Sequence, residues 1–396
     1  MSELLVDTPS VCIVGLANLQ VLAPEHARSG VGGAERQQVM LARALARRGF
    51  DVSMIVYDRG QPDGQVWDGI TTYAAYGATE GLPGLRFIHP RSTRLWSAMK
   101  RADADIYYFS CAGMHLGVAA MFARSYGRKV VFRIASDMDC DPELHVLRYW
   151  RHKVMYRYGL RRADAVLAQT AKQQAMLATH LGRSSQIVPP LSDLSRHGLA
   201  RADRDISVLW VNNLRDSKRA DLLLELARRM PDVQFDMVGG PVKGFESIYE
   251  DANRTAQALE NVRFHGFVPY EKTAELYERA HLLVSTSEIE GFPNTYLQAW
   301  ASGAPVIAFF DPDGAIQRNG LGRAVKTLDE MQAAIQRLLT NEAEWEATGA
   351  RCRAHVASYG DENSMLAPYI ETFLSLKATA AERPLRARPR PAASRE

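Results

Sequence analysis

The chain has 396 residues, enough for two or three domains at roughly 150 residues each, and Lys+Arg at 48 against Asp+Glu at 45 leaves a net charge of only +3. That balance excludes the chain-wide basic excess of a dedicated nucleic-acid binder. Hydrophobic residues at 46% and charged residues at 23% exclude general disorder, and no apolar run approaches the ~20 residues that cross a bilayer.

Residues 1–10 hold Glu3 and Asp7, with no basic start and no long apolar stretch, so no secretory signal is read there. Strand-like runs follow at 10–14, 52–57, 106–110, 129–134 and 165–168. They are apolar on consecutive residues, the pattern of strands buried on both faces of a parallel sheet. Helical patterns at 34–48, 116–126, 144–160 and 171–181 separate them, and Gly49 stops the first. Pro189-Pro190 and mixed polar residues interrupt the alternation over 188–205. It then restarts, with strands expected at 208–211, 233–238, 262–267, 282–285 and 306–310 and helices at 220–230, 271–279 and 295–301. Helices at 342–359 and 362–377 close the pattern. The tail 378–396 is Ala, Pro and Arg with few large apolar side chains, and disorder is expected there.

Such alternation implies right-handed βαβ crossovers and doubly wound parallel sheets. The expected class is α/β, with Rossmann-like domains at 1–190 and 206–360 joined by a linker at 191–205. Cys12, Cys111, Cys140 and Cys352 show no C-x-x-C spacing and no histidine cluster, which disfavours structural zinc and a disulfide framework. They read as buried packing residues, and a reduced, cytoplasmic setting is expected.

Three segments carry chemistry. Ser29-Gly30-Val31-Gly32-Gly33-Ala34-Glu35 leads into a helix. Glycine permits close backbone approach, and a helix start offers N–H groups and a positive dipole end to an anion. The same residues also fit a plain Gly-rich helix start. The loop over 210–219 ends the first strand of the second domain and carries Arg215, Lys218 and Arg219. Ligands of open α/β sheets bind beyond the carboxyl ends of the strands, so these cations suit a diphosphate, or solvent. The third segment ends a strand at Ser285-Thr286-Ser287 and continues Glu288-Ile289-Glu290-Gly291-Phe292-Pro293-Asn294-Thr295 into a helix bearing Gln298. Backbone N–H groups around 291–295 would face a ligand, Glu290 would accept from sugar hydroxyls, and Gln298 would face the same cleft.

The third segment resembles the donor-site signature of family-4 glycosyltransferases, retaining enzymes of the GT-B fold. That signature is Glu-Gly-Phe, seven residues between two glutamates, then Ala-x-Gly-x-Pro-Val; here it runs from Glu290 to Val306. Gly32-Gly33-Ala34-Glu35 is similar to the family's N-terminal Gly-Gly loop, and 214–218 to its Gly-Arg-Leu-x-x-x-Lys loop. The resemblance spans 11 to about 377 and implies that the last helix, 361–377, packs back on the first domain.

The resemblance implies site roles. Gly32 and Gly33 approach the donor diphosphate, with Asn213, Arg215 and Lys218 on its other side. Lys218 stabilises the leaving nucleotide. Glu290 binds the donor sugar, helped by Gly291, Phe292, Pro293, Asn294 and Thr295, and Gln298 binds the ribose. Gly239 is a further donor-binding residue, and Gly266 and Phe267, in the segment 264–268, lie at the nucleobase. Two positions depart from the pattern: Gln298 replaces the second glutamate and Asn213 replaces an arginine. Many family members also carry a histidine where the acceptor-facing strand ends; here Ser136-Asp137-Met138-Asp139 follows. Asp137, with Lys218 and Glu290, is the catalytic candidate, although Asp137 and Asp139 equally fit surface caps of a following turn.

The implied reaction moves a sugar from UDP or GDP to a hydroxyl of a saccharide or lipid-linked glycan, in surface polysaccharide or glycoconjugate synthesis. No metal or other cofactor is expected, because basic side chains and helix dipoles stabilise the diphosphate. A weakly active nucleotide-sugar binder and an epimerase on the same fold are the alternatives. The stretch 148–162 combines Arg148, Arg151, Lys153, Arg157, Arg161 and Arg162 with Tyr149, Trp150, Tyr156 and Tyr158. It suits the inner face of an anionic membrane, or a solvated helix whose aromatics pack inward.

Overall fold

The computed structural model describes residues 8–23, 26, 32–192, 194 and 198–378. Residues 29–31 of the first glycine segment and the tail at 379–396 lie outside the described residues.

In the first domain, consecutive apolar residues make β1 (Val11–Val14) and β2 (Val52–Val56), both buried along their whole length. Between them lie α1 (Leu19–Leu22) and α2 (Gly33–Arg47). Then come β3 (Val66–Trp67), β4 (Ile70–Ala74), α3 (Thr93–Ala102), β5 (Ile106–Ser110) and α4 (Met114–Tyr126). The alternation continues through β6 (Lys129–Arg133), α5 (Trp150–Arg162), β7 (Ala165–Ala168), α6 (Ala171–Leu181) and β8 (Gln186–Ile187). The sheet order is β3-β4-β2-β1-β5-β6-β7-β8, parallel except for the β3–β4 pair.

The second domain opens with β9 (Ile206–Val211), α7 (Ala220–Arg229), β10 (Phe235–Val238), α8 (Glu246–Gln257) and β11 (Val262–Gly266). It continues through α9 (Tyr270–Arg279), β12 (Ala280–Ser285), α10 (Asn294–Ala301), β13 (Val306–Ala308), α11 (Ala315–Asn319) and β14 (Gly322–Ala324). Its sheet runs β11-β10-β9-β12-β13-β14, all parallel. Strand order reverses at β1, between β2 and β5, and at β9, between β10 and β12. Connections leave such a point in opposite directions, which opens a crevice beyond the carboxyl ends.

Three helices follow: α12 (Leu328–Thr340), α13 (Glu342–Ala357) and α14 (Glu362–Ala378). Met365, Leu366, Tyr369 and Phe373 of α14 are buried in one cluster with Val11, Leu45 and Leu191 of the first domain. The Tyr369 hydroxyl donates to the Pro189 carbonyl at 2.9 Å, which ties this helix to the crossover between domains.

The helix expected over 144–160 begins only at Trp150. Asp141 accepts from the N–H groups of Glu143 and His145 at 3.0 Å each, and Leu144 holds a φ of 50°. That local turn competes with helix until Tyr149. The patterns did not mark β4, α3, α8, α12 or β14. In α8 the buried face is only Ala252 and Ala256, too faint a stripe to read beside four charged residues. No described helix is long and apolar enough to cross a membrane.

Candidate active site

Lys218 and Glu290 come from the two loops that flank the β9/β12 reversal. The β9 loop closes in a tight turn over Asp216–Lys218, and the Thr286 hydroxyl of the β12 loop donates to the Lys218 carbonyl at 2.7 Å. With the backbones joined, Lys218 Nζ pairs with Glu290 Oε1 across the crevice. Their side chains are only 15% and 16% exposed, so the pair lies in a partly desolvated place where charge interactions are strengthened.

The neighbouring cations face elsewhere. Arg219 meets Asp221 at 2.8 Å and Glu288 at 2.6 Å. Arg215 lines, with Arg219 and Asp221, a cavity of about 510 Å³ between α7 and α8.

The glycine of the Glu290-Gly291 turn is dictated by the other domain. A Cβ at Gly291 would stand 2.2 Å from the Ala135 carbonyl oxygen, just past β6. The Asp137 N–H donates to the Glu290 carbonyl at 3.1 Å across the same contact. Next along, Asn294 opens α10 and its Oδ1 accepts from Gln37 Nε2 of α2 at 2.8 Å. A Cβ at Gly33 would lie 3.1 Å from Asn294 Nδ2, so the starts of α2 and α10 converge. Arg36 stacks its guanidinium 4.3 Å from the Tyr270 ring of α9, a further join between the domains.

These two helix starts differ electrostatically. Glu35 folds over Gly32, where a Cβ would meet Glu35 Oε2 at 2.4 Å. The start of α2 therefore already faces a carboxylate. The Pro293 cap of α10 supplies no side-chain acceptor and α10 has no acidic residue in its first turn. Its N–H groups are the ones arranged to receive an anion. Gln298 stands one turn further along α10 on the side of Asn294 and is half-buried.

The expected nucleobase segment at Gly266 and Phe267 meets the donor-binding candidate Gly239 at the ends of β10 and β11. Gly239 donates its N–H to the Gly266 carbonyl at 2.9 Å. A Cβ on Gly239 would lie 2.1 Å from the Asn212 carbonyl, so packing of the β9 and β10 loops requires this glycine. Gly266 turns with a φ of 64°, and the Phe267 ring that follows is exposed beside Gly240.

Asp137 is buried, and both of its oxygens are held by the first domain. Oδ1 accepts from Gln173 Nε2 at 3.1 Å and Oδ2 pairs with Lys172 Nζ at 2.7 Å. Its backbone N–H is the group that bonds to the second domain, at the Glu290 carbonyl. Asp139 accepts from the N–H groups of Ala135 at 2.8 Å, Ser136 at 3.2 Å and Ala112 at 3.1 Å, forming a capping box with Ser136. The capping expectation thus holds for Asp139, but in a buried loop rather than at the surface. Cys12, Cys140 and Cys352 are buried as expected, whereas Cys111 is exposed. Among the described residues no three His, Cys, Asp or Glu side chains group to hold a metal ion.

Sequence patterns missed a second wall of the crevice. Tyr57 follows β2, Tyr76 follows β4 and His115 lies in the first turn of α4, after β5. The Tyr57 and Tyr76 rings meet edge to face at 5.7 Å, and the Tyr76 hydroxyl lies 2.5 Å from His115 Nε2. Position a few residues past a strand was the only signal. Burial, with the nearby Arg91 and His152 charges, pushes the His115 pKa from 6.5 down to about 4. An unfolded chain takes up this proton near 6.5 and the folded one does not, so this stabilisation is full above 6.5 and drains as pH falls toward 4. Thermal melts across that range should show wild type losing up to about 3 kcal/mol more than His115→Gln. Parallel profiles for the two proteins would refute a neutral buried imidazole.

Two parallel-sheet α/β domains facing one crevice are the architecture of the GT-B glycosyltransferases. Residues 205–341 match the family model Glycosyl transferases group 1, and residues 31–196 match Glycosyltransferase Family 4. The chain belongs to the family-4 glycosyltransferases. An uncharacterized glycosyltransferase of Haemophilus influenzae is 23% identical over 347 residues, covering 84% of this chain and 93% of that protein. A D-inositol 3-phosphate glycosyltransferase of Geodermatophilus obscurus is 29% identical, covering 56% of this chain and 53% of its own. A GDP-mannose-dependent alpha-mannosyltransferase of Mycolicibacterium smegmatis is 26% identical, covering 70% and 76%. Among solved structures, sucrose-phosphate synthase from Thermosynechococcus elongatus superposes with a TM-score of 0.75 at 18% identity, over 94% of this chain and 100% of that one. HepE from Anabaena, in complex with UDP and glucose, gives 0.72 at 16% identity, over 93% and 100%.

Proposed function

We propose that this glycosyltransferase is retaining and metal-independent, and that it moves a sugar from a UDP- or GDP-sugar to a hydroxyl of a saccharide or lipid-linked glycan, in surface polysaccharide or glycoconjugate synthesis. The observation that carries the reading is the Lys218–Glu290 pair beside the uncapped start of α10, closed against the first domain at Gly291.

A donor diphosphate entering between Lys218 and α10 draws the ammonium away from Glu290. Glu290 is then available to accept from donor-sugar hydroxyls, while Asp137 holds the Glu290 backbone through its N–H and acts as a positioning residue. Asn213 and Gln298 face the diphosphate and the ribose, and Phe267 offers a ring to the base. The acceptor hydroxyl attacks the anomeric carbon from the leaving-group face and passes its proton to the departing phosphate. The C–O bond to the acceptor forms as the bond to the diphosphate breaks. Catalysis rests on positioning and on positive charge at the leaving group, so chelator leaves activity unchanged. Relatives and neighbours use both bases: one is named GDP-mannose-dependent, another was solved with UDP. Calorimetric titration with UDP and GDP tests the reading. One of the two should bind and Lys218→Ala should weaken it; binding of neither ends the proposal.

Support for a membrane contact comes from Trp150, 75% exposed, and Leu82, 71% exposed, with Leu85, Ile88, Val146 and Val154 also exposed. Arg151 joins the two segments, its guanidinium lying 4.7 Å from the Phe87 ring. Tyr156, by contrast, is fully buried and donates to the Asp139 carbonyl at 2.9 Å. Apolar tips between cations suit an anionic bilayer surface at the inner face of a membrane. Flotation with phosphatidylglycerol vesicles at low salt should carry the wild type and lose the Trp150→Ala protein. Equal flotation of both would remove this face from the reading.

A further inference from the structure

Adjacent strands of one sheet meet adjacent strands of the other across the crevice. The loop after β12 reaches the loop after β6, where the Asp137 N–H donates to the Glu290 carbonyl. Next to β12 lies β13, and next to β6 lies β7, which leads into α6. The loop after β13 reaches the start of α6. There Asp313 of the second domain accepts from the N–H groups of Ala171 at 2.6 Å and Lys172 at 3.0 Å. A contact at one strand leaves the domains free to pivot about it. A second contact one strand over fixes the angle.

The turn of residues 312–314 presents Asp313 away from its own domain. Asp311 serves that domain, accepting from the N–H groups of Ile316 at 2.8 Å and Gln317 at 3.2 Å at the start of α11. Asp313 holds a φ of 49°, in the left-handed region that strains a side chain and suits glycine. On the opposite side, Thr170 caps its own helix by accepting from the Gln173 N–H at 3.1 Å. Thr170 and Asp313 between them therefore take the first three N–H groups of α6. A carboxylate in that position gains from charge-assisted hydrogen bonds and from the positive end of the helix dipole.

The same turn of α6 holds Asp137. Lys172 Nζ pairs with one oxygen at 2.7 Å, and Gln173 Nε2 donates to the other at 3.1 Å. Gln173 also accepts from the Gln169 N–H at 2.9 Å, and Gln169 Nε2 donates at 3.0 Å to the Ala135 carbonyl that Gly291 approaches. Asp137, Gln169 and Gln173 are all buried. In the second domain, the Tyr296 hydroxyl of α10 donates to the Phe310 carbonyl at 2.9 Å, just before the Asp313 turn. The Asp313 contact is thus wired to the Glu290 backbone on one side and to α10 on the other.

We propose that Asp313 is a positioning residue for the transfer: its carboxylate, seated on the first turn of α6, fixes the angle between the domains at which Glu290 and the start of α10 meet the first-domain wall. The proposal rests on the transferase reading and adds to it the group that sets the reactive domain angle.

Two variants of the full chain break the contact from opposite sides. D313G suits the left-handed backbone and removes the carboxylate, so its melting temperature should equal or exceed that of wild type. A171P places proline at the first helical position, where it is tolerated, after a Thr170 already extended at φ −139° and ψ 154°. The ring removes the N–H that Asp313 binds. Small-angle scattering should show a larger radius of gyration for each variant than for wild type. Release of UDP from UDP-glucose and of GDP from GDP-mannose, with water taking the sugar, gives turnover. Each variant should lose kcat by at least about tenfold, while calorimetric Kd for UDP or GDP, held by the second domain, stays unchanged. D313N keeps an acceptor oxygen and tolerates the left-handed backbone, so it should recover part of kcat. The D313G/A171P double variant should lose no more than D313G alone. Wild-type kcat or a wild-type radius in D313G, or a further loss in the double variant, overturns the proposal and leaves the transferase reading standing. If neither nucleotide binds, the transferase reading falls, and the radii of the unliganded proteins alone decide whether Asp313 sets the domain angle.

Discussion

Lys218→Ala should lower kcat by about 100- to 1,000-fold, the range seen when one preorganised group that stabilises developing charge is removed. Lys218 is the cation set at the β9/β12 reversal, because Arg219 is committed to Asp221 and Glu288 and Arg215 lines the α7–α8 cavity. Among the described residues Lys218 is the cation paired with Glu290. The stability cost should be much smaller, below about 2 kcal/mol, because the orphaned Glu290 keeps some access to water. The discriminating pattern is a collapsed rate with a melting temperature within a few degrees of wild type. Turnover near wild type would remove Lys218 from the chemistry. Lys218→Arg should retain part of the rate, since charge survives while the fork geometry differs from a point ammonium.

Gly291→Ala should cost about 100-fold in kcat by a different route. The added methyl meets a backbone oxygen, Ala135 O, at 2.2 Å, and a carbonyl in a capped loop has little freedom to retreat. The domains must part by about 1 Å or the Glu290 turn must rotate, and misplacement on that scale carries a penalty of that order. Each domain keeps its own core, so nucleotide binding to the second domain and the melting temperature should change little. Small-angle scattering should report a slightly larger radius of gyration. Unchanged turnover would show that the crevice works without this closure.

Legibility followed the range of the interaction. The strands β1, β2, β5 and β6 were readable because burial on both faces leaves a continuous apolar run in the chain itself. Helix α8 was not, because its buried face is two alanines. Lys218 and Glu290 were found separately by loop chemistry, yet nothing local says that residues 72 positions apart form one pair. Asp137 shows the same limit from the other side. A carboxylate at a strand end reads as a site residue, and nothing local says that Lys172 and Gln173 of α6 hold its oxygens. Gly239 was singled out for a ligand, and only the folded chain shows that a Cβ there would also meet the Asn212 carbonyl.

The near-neutral charge, the two α/β halves, the glycine and acid of the 290–291 turn and the cations of 215–219 were all determined by the sequence alone, since composition, periodicity and turn chemistry are local properties. Only the tertiary structure decided which cation meets Glu290, which helix start is open to an anion, and that Tyr57, Tyr76 and His115 share one wall. Those facts depend on distances through space between strand ends, and strand order, not sequence separation, sets them.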